Sequence, residues 1–280
     1  MPSARVARAE KLRRAQTQGG LKVQAYERVQ KARGAARPTA LSLINAVFTG
    51  FFELHGDRVF ADDRAVVGGL AQLDGAPVTV IGLEKGSSVK DKVERNFGAA
   101  HPEGYRKALR LMKQAEKFGR PVVTIVDTAG AYCGIGAEER GQGRAIAVNL
   151  MEMMRLKTPV ISIVLGEGGS GGALALAVAD EVWLFENSVY SVISPEGAAS
   201  ILYKDPAKAA EAADSLRLTA GDLASFGLID RVFSEHNDNF ERAFMDVKKE
   251  LRVTLRKLCG LNKEELLELR WRKFRAMGET

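Results

Sequence analysis

The sequence predicts an α/β protein built around a mostly parallel sheet. Two short apolar runs rich in β-branched residues, PVVTIVD from Pro121 and PVISIVLG from Pro159, have the composition of buried parallel strands. Segments with apolar residues at helical spacing precede, separate and follow these runs. Strands that alternate with helices in this way predict consecutive βα units packed into one sheet.

The region before these strands combines helices with a hairpin. Residues 4–34 are predicted to be helical up to a break at Gly34 and Pro38, and TALSLINAVFTGFFEL is predicted as a second helix. VVGGLAQL and APVTVIGL are two β-rich runs joined by Asp74-Gly75. An Asp-Gly pair between such runs predicts a hairpin with a type I′ turn.

The remaining elements follow in the order that βα units require. PEGYRKALRLMKQAEKFG is the helix predicted before the first parallel strand, and AEERGQGRAIAVNLMEMMRLK is the helix predicted between the two. GGALALAVA is predicted as a short third helix, which leads to a further strand, EVWLFE. Residues 206–280 are predicted to be mainly helical and are rich in charged residues.

Composition indicates a globular protein with two basic ends. Hydrophobic residues make up 46% and charged residues 27% of the 280 residues, and the net charge is +6. Residues 1–37 carry +8 and residues 248–275 carry +6, so the middle of the chain is acidic. Basic arms can bind nucleic acid, but a solvated helix face or an arm docked on a partner is the more ordinary interpretation. A nucleic-acid partner is therefore not expected.

Other sequence features exclude further classes of protein. No apolar run reaches the roughly 18 residues of a membrane span, and no apolar segment follows the basic N-terminus, so neither a membrane segment nor a secretory signal is expected. Cys133 and Cys259 stand alone, without a CxxC pair or a His-rich tract. We therefore expect no metal site in this chain and a reducing, cytoplasmic location.

A glycine-rich segment, Gly166–Gly172, is the strongest candidate for a site. It has five glycines in seven residues and lies between a predicted buried strand and a predicted helix, so it is expected to form a turn. Ligands of parallel sheets bind beyond the carboxyl ends of the strands, where this segment and residues 127–134 both emerge. Free N–H groups at the start of a helix favour an anion there.

Three interpretations of this segment are weaker than anion binding. Gly166-x-Gly168-x-x-Gly171, with Glu186 further on, matches a dinucleotide fingerprint, but the helix that follows is short. Gly168-x-Ser170-x-Gly172 matches the elbow of a serine hydrolase, but of three histidines only His236 follows Ser170, in a polar stretch. Close packing of helix on strand explains one glycine more readily than five.

The fourth interpretation is an oxyanion hole without a side-chain base. Preorganised backbone N–H groups stabilise a developing negative charge by about 2.7–4 kcal/mol per donor. In such a site the substrate or cofactor moves the proton itself.

Five long motifs then identify a family. GDRVFADDRAVVGG, NFGAAHPEGYRKALRLM, DTAGAYCGIGAEERGQ, LGEGGSGGALALAVAD and YSVISPEGAASILYKD together resemble the α subunit of bacterial acetyl-CoA carboxylase carboxyltransferase, from about Gly56 to Asp205. The resemblance implies a crotonase-like fold, a stacked βαβ superhelix with N- and C-terminal helical arms. On that basis residues 1–54 are a basic helical arm, 55–235 the crotonase-like domain and 236–280 a helical C-terminal region.

The resemblance also implies the reaction and the partners. Carboxybiotin on the biotin carboxyl carrier protein gives its carboxyl group to acetyl-CoA, which yields malonyl-CoA for fatty acid biosynthesis. A β subunit of the same fold supplies the hole for the thioester enolate and a zinc finger, so zinc is expected on the β subunit. The assembly implied is an α2β2 heterotetramer that works with biotin carboxylase. The alternatives that stay open are a same-fold serine hydrolase using Ser170 and a non-catalytic scaffold subunit.

Site residues follow from the same resemblance. The hole for the biotin ureido oxygen falls on Gly171 and Gly172, and Gly168 and Gly169 are expected to shape the approach to it. Gly130 and Ala131, in the neighbouring strand-end segment, are expected to contact the cofactor as well. The family has proline where this chain has Ala129 and Cys133, which removes two φ constraints from that segment. Cys133 is expected to be a small apolar filler, and an exposed thiolate is the alternative.

Overall fold

Eight strands form one sheet in the part of the chain that the computed structural model describes, residues 25–278. The strand order is β1-β2-β3-β4-β5-β6-β8, and β7 pairs with β5. The strands are β1 (Thr49–Glu53), β2 (Val66–Leu73), β3 (Ala76–Leu83), β4 (Val122–Thr128), β5 (Val160–Gly169), β6 (Glu181–Phe185), β7 (Val189–Ser191) and β8 (Arg231–Phe233).

Helices connect the strands and flank the sheet. They are α1 (Ala25–Ala32), α2 (Ala40–Val47), α3 (Val89–Glu94), α4 (Pro102–Lys117), α5 (Ile135–Glu139), α6 (Gln142–Arg155), α7 (Ser170–Leu174), α8 (Pro195–Leu202), α9 (Ala209–Leu216), α10 (Ala220–Ser225), α11 (Phe240–Cys259) and α12 (Lys263–Arg275). Short 3₁₀ turns lie at Asn96–Gly98 and Pro206–Lys208.

The predicted hairpin and the predicted parallel strands are both confirmed. β2 and β3 pair antiparallel with Leu73 opposite Ala76, and Asp74 and Gly75 have φ angles of 49° and 83°. Positive φ at both central residues is the type I′ geometry. From β3 onward the pairs β3–β4, β4–β5, β5–β6 and β6–β8 are all parallel. The carboxyl ends of β3, β4 and β5 therefore lie along one edge of the sheet.

Both faces of the sheet are covered by apolar side chains. In β4, Val122 and Val126 belong to one buried cluster, whereas Val123 and Ile125 belong to another. The first cluster includes side chains from α4 and α6, and the second includes side chains from α2 and α11. Because successive strand residues point to opposite faces, a strand covered on both sides needs a continuous apolar run, as the sequence shows.

Four details differ from the sequence-based prediction. The second predicted helix ends at Val47, and the Thr49–Glu53 run pairs with β2 as β1 instead. Gly141, with a φ of 82°, separates α5 from α6, which were predicted as one helix. β5 continues through Gly169, so most of the predicted glycine turn is strand. α7 has only five residues, because the chain turns at Ala175–Ala177.

The described part of the basic N-terminal arm packs on its own chain. Residues 4–24 of the helix predicted over 4–34 lie outside the described residues, and α1 confirms part of the remainder. Arg33 pairs with Glu167 and Glu196, and Arg37 pairs with Glu235. The division at residues 54 and 235 stays a prediction. Among residues 25–278, no helix has the length and apolarity of a membrane span.

Candidate functional site

Two chain segments meet at the carboxyl ends of β4 and β5. Thr128, the last residue of β4, pairs with Gly168 in β5. Beyond it, residues 129–131 run beside the end of β5 and the start of α7. The Thr128 hydroxyl accepts a hydrogen bond from the N–H of Gly130 at 3.1 Å and donates one to the carbonyl oxygen of Gly130 at 2.8 Å. Thr128 therefore fixes the fold of this loop locally.

Two of the glycines are required by the contact between these segments. A Cβ atom at Gly169 would overlap the carbonyl group of Ala129, and one at Gly172 would overlap the backbone nitrogen of Ala131. Both clashes are with backbone, which cannot move aside as the end of a side chain can. Close packing, the simplest of the sequence interpretations, therefore accounts for Gly169 and Gly172 in part.

The other predicted site residues lie in different surroundings. A Cβ at Gly171 would be 3.5 Å from Cγ2 of Ile146, an ordinary van der Waals distance, and one at Gly130 would meet no atom within 4 Å. At Gly168 a Cβ would be 2.8 Å from Cδ2 of Tyr190. Gly171 thus has no packing reason to be glycine, which is consistent with a need for open space beside it.

Backbone N–H groups from both segments are available to a ligand. Gly171 and Gly172 lie in the first turn of α7, where N–H groups have no partner within the helix. Within residues 25–278, no acceptor binds the N–H of Gly171, Gly172 or Ala131. Since Gly172 and Ala131 are in close backbone contact, donors from the two segments are neighbours. The structure thus brings Gly171, Gly172 and Ala131 together, with Gly168, Gly169 and Gly130 adjoining them.

The geometry of Ser170 resembles that of a nucleophile, but a base is missing. Ser170 is exposed and has a φ of 54°, the strained conformation of a strand-to-helix elbow. The histidines, however, are engaged elsewhere: His55 bonds to Asp62 and His236 to Asp246. The third, His101, bonds to Asn96 and stacks on the ring of Tyr132. Among the described residues, no histidine is hydrogen-bonded to Ser170.

The dinucleotide interpretation and the view of Cys133 as a filler also change. The Glu186 carboxylate accepts hydrogen bonds from the N–H of Glu235 at 2.7 Å and from the Ser234 hydroxyl at 3.3 Å, so it is used within the chain. α7 is also too short for a dinucleotide-binding unit.

Cys133 is exposed, so its thiol does not fill a core position as predicted.

An ion network behind the glycines was missed by the sequence analysis. Lys85 Nζ lies 2.7 Å from Oδ1 of Asp127 and 3.0 Å from Oε2 of Glu167. Arg33 Nε lies 2.7 Å from Oε1 of Glu167, and Arg33 also pairs with Glu196. The signal was present as charged residues at the ends of apolar strands, in GLEKG, IVDTAG and LGEGG. Nothing in the sequence paired them, because the partners are 42 to 163 positions apart.

The neighbouring charges in this network shift the pKa values of Glu167 and Lys85. Burial alone raises the pKa of Glu167, but Lys85 and Arg33 outweigh it and hold that pKa below its ordinary value. Burial alone lowers the pKa of Lys85, but Asp127 and Glu167 outweigh it and raise that pKa. The charged forms of Glu167 and Lys85 are therefore stabilised by their neighbours. Within the described residues, no cluster of His, Cys, Asp and Glu has the arrangement of a metal site.

Comparisons with known sequences cover almost the whole chain. Residues 4–278 match the family described as acetyl co-enzyme A carboxylase carboxyltransferase-like. The chain is 57% identical to the acetyl-coenzyme A carboxylase carboxyl transferase subunit alpha of Ruminiclostridium cellulolyticum over 91% of this chain and 98% of that protein. It is 55% identical to the Clostridium acetobutylicum subunit alpha over 91% and 94% of the two chains.

Comparisons with solved structures support the fold. A chain of a Pseudomonas malonate decarboxylase hetero-tetramer in complex with coenzyme A superposes with a TM-score of 0.65, at 20% identity over 85% of this chain and 92% of that one. The transcarboxylase 12S core superposes with a TM-score of 0.61, at 21% identity over 76% and 42% of the two chains. At these identities the likeness shows the fold alone, which is the crotonase-like α/β fold.

Proposed function

The chain belongs to the acetyl co-enzyme A carboxylase carboxyltransferase-like family, and we propose that it takes part in forming malonyl-CoA as the α subunit of that carboxyltransferase. The carboxyl donor is carboxybiotin on the biotin carboxyl carrier protein, and the acceptor is acetyl-CoA. The product enters fatty acid biosynthesis at its first committed step. Identities of 55–57% over nearly the full length of relatives with this name support the assignment.

In this proposal Gly171 and Gly172 hold the biotin ureido oxygen. The observation that carries it is the close approach of residues 129–131 to residues 169–172, which makes unused N–H groups of the two segments neighbours. Fixed amides at these positions would stabilise negative charge on that oxygen without reorganising. Gly168 and Gly169 shape the approach, while Gly130 and Ala131 line it from the loop.

The residues of this site suit hydrogen bonding to a ligand oxygen better than they suit a covalent intermediate on Ser170. A ureido oxygen needs donors, and three N–H groups without acceptors among residues 25–278 supply them. Bound carboxybiotin would supply the carboxyl group, and its ureido ring, once that group has left, would accept the proton that acetyl-CoA loses. The chain itself therefore needs no histidine at Ser170, which agrees with where its histidines lie.

A multi-subunit enzyme follows from this assignment, and we propose its composition. The second oxyanion hole, for the thioester, is placed on a β subunit in an α2β2 heterotetramer, together with the zinc. Biotin carboxylase and the carrier protein complete the reaction. We place the protein in the cytoplasm, which fits two free cysteines, Cys133 and Cys259. Nucleic acid is left out as a partner because Arg33 and Arg37, which follow α1, bind carboxylates of the same chain.

The test is reconstitution with the β subunit. The two chains are co-expressed, and malonyl-CoA formation from carboxybiotin and acetyl-CoA is measured for each chain alone and for the pair. We expect turnover by the pair and none by this chain alone, because one hole cannot hold both anions. Full turnover by the isolated chain would contradict the shared site, and no turnover by a well-formed pair would contradict the function.

Gly171→Ala tests the position of the hole. The added methyl group has room inside the chain but enters the space beside the N–H groups, so we expect kcat to fall about 10²-fold, as for one lost oxyanion donor. Gly143→Ala is the matched control, because Gly143 is in α6 and a Cβ there meets no atom within 4 Å. Equal turnover of the two variants would place the hole elsewhere.

A further inference from the structure

Lys85 joins the two segments that carry the proposed hole. It follows β3, and its side chain is 19% exposed. Its ammonium group lies between the carboxylates of Asp127 and Glu167. Asp127 immediately precedes Thr128 and the 129–131 loop, and Glu167 immediately precedes Gly168. One cation therefore contacts the base of each segment.

The two carboxylates are held close together by the backbone. Oδ1 of Asp127 accepts a hydrogen bond from the N–H of Glu167 at 2.9 Å. A Cβ at Gly166 would overlap the Asp127 carboxylate, so the absence of a side chain there makes this approach possible. Like charges that share a poorly solvated site repel each other, and the site is stable only if a cation or a proton lies between them.

The other charges around this site leave Lys85 as the cation shared by the pair. Arg33, directly after α1, contacts Glu167, but its second partner is Glu196. The Tyr26 hydroxyl also donates to Glu196, at 3.2 Å. Asp127 has Lys85 as its salt-bridge partner among the described residues. Without Lys85, the Asp127 carboxylate would face Glu167 with only the backbone N–H between them.

We propose that Lys85 is a positioning residue for carboxyl transfer, which holds the 129–131 loop and the β5–α7 junction at the separation that the N–H groups require. Lys85 acts through Asp127 and Glu167 and does not itself touch the substrate. The inference rests on the proposed function, since it assigns the N–H groups of these two segments to one anion.

The test uses Lys85→Met in the assembled complex with the β subunit. Methionine keeps most of the volume and removes the charge, so the carboxylates repel and the segments separate. A shift of about 1 Å in a reacting group can lower a rate about 10²-fold, and we expect a loss of that order in kcat at pH 8. The KM for acetyl-CoA is expected to stay close to that of the wild type, because the thioester is placed on the partner.

The pH dependence separates this role from packing. As the pH falls, the Asp127–Glu167 pair in Lys85→Met takes up a proton, and the protonated carboxyl group donates to the other. The ratio of variant to wild-type kcat should therefore rise as the pH falls. Lys85→Met/Asp127→Asn removes the repulsion, so its kcat should exceed that of the single variant at pH 8 and its ratio to wild type should be flat. Lys85→Arg should recover most of the activity.

Control measurements distinguish a failure of the Lys85 proposal from a failure of the proposed function. Lys90→Met makes the same change at an exposed lysine of α3 and should leave kcat unchanged. Amide hydrogen exchange in the isolated chain should be faster at residues 128–131 and 166–172 in Lys85→Met than in the wild type. If the methionine variant does not fold, Lys85→Gln takes its place in this measurement. A constant activity ratio across pH, or unchanged exchange in these segments, would overturn the role of Lys85. A wild-type complex without carboxyl transfer would instead overturn the proposed function.

Discussion

Gly169, Ser170 and Gly171 are consecutive residues with three different constraints. Gly169 has no side chain because backbone occupies the Cβ position, and Gly171 borders open space. Between them Ser170 adopts a φ of 54°, which costs a non-glycine residue about 1 kcal/mol or more. Such strain persists where the surroundings impose it, and here it turns the chain sharply from β5 into α7. The turn is what aims the first N–H groups of α7 into the site.

Ser170→Ala distinguishes transfer from hydrolysis. If the hydroxyl forms no covalent bond, only local hydrogen bonding is lost, and turnover of the assembled complex should fall roughly tenfold at most. Ser170→Gly should retain turnover as well and should be more stable, because glycine accepts positive φ without strain. Complete loss in both variants, together with labelling of Ser170 by a serine-directed phosphonate, would favour the hydrolase.

Tyr105→Phe tests a buried hydroxyl near the site. The Tyr105 side chain is fully buried, its hydroxyl has no hydrogen-bond partner among the described residues, and it lies 2.9 Å from the Cβ position of Gly172. An unsatisfied buried polar group is destabilising, so its removal should raise the free energy of unfolding by about 1 kcal/mol. Tyr26→Phe removes a hydroxyl that does bond, to Glu196, and should lower that free energy. Chemical denaturation measures both, and a loss of stability in Tyr105→Phe would show a hidden partner.

At the scale of elements, prediction from sequence succeeded where the local sequence pattern determines the secondary structure. The β2–β3 hairpin, β4, β5 and α4 follow from apolar β-branched runs, Asp-Gly chemistry and helical spacing. β1 was missed because TGFFE becomes a strand through pairing with β2, a tertiary contact. β5 continues through its glycines because Glu167, Gly168 and Gly169 pair with Val189, Tyr190 and Ser191 of β7. In both cases a long-range partner overrode the local preference.

Arg270→Met tests how the last helix is fixed. Arg270, in α12, is 1% exposed and donates to Asp180 and to the carbonyl oxygens of Met153, Leu156 and Thr158. Removal of this guanidinium leaves a buried carboxylate and three carbonyls without their donor, so the free energy of unfolding should fall by about 3–5 kcal/mol. The exposed pair Arg272–Glu268 is the control, and Arg272→Met should cost less than about 0.5 kcal/mol. Equal midpoints of urea unfolding for the two variants would contradict this.

At the scale of the whole molecule, the basic ends and the acidic middle are joined by ion pairs. Arg33 and Arg37 bind Glu167, Glu196 and Glu235, and Arg270 and Lys273 bind Asp180 and Asp230. The sequence shows the asymmetry of charge but not its pairing, because the partners meet only through the fold. The candidate site divides in the same way: its glycines are visible in the sequence, whereas the charges behind them are not. The roles of Gly171 and Gly172 stay predictions.

Acid should weaken the molecule partly through Asp62. Burial alone raises the pKa of Asp62, but Lys107 and the N–H of Gly56 outweigh it and lower that pKa to about 2. A carboxyl whose pKa is depressed in the folded state stabilises it above the unfolded pKa, and that contribution is lost as the pH falls from about 4 to about 2. After allowance for solvent screening it is about 1 kcal/mol. The difference in unfolding free energy between wild type and Asp62→Asn should therefore shrink by this amount between pH 5 and pH 2, and a constant difference would contradict the pairing.

The contacts of Arg37 set the order of events during synthesis. Its guanidinium donates to the carbonyl oxygen of Leu165 and to the carboxylate of Glu235, which lie 128 and 198 positions later in the chain. Because the ribosome synthesises the chain from its N-terminus, both acceptors of Arg37 are translated only after most of the sheet. Contacts of such long sequence separation form late and slow the search for the native state. The guanidinium of Arg37 therefore stays without these partners while the β2–β3 hairpin and α4 form, and its contact with Glu235 can form only after β8 has been translated.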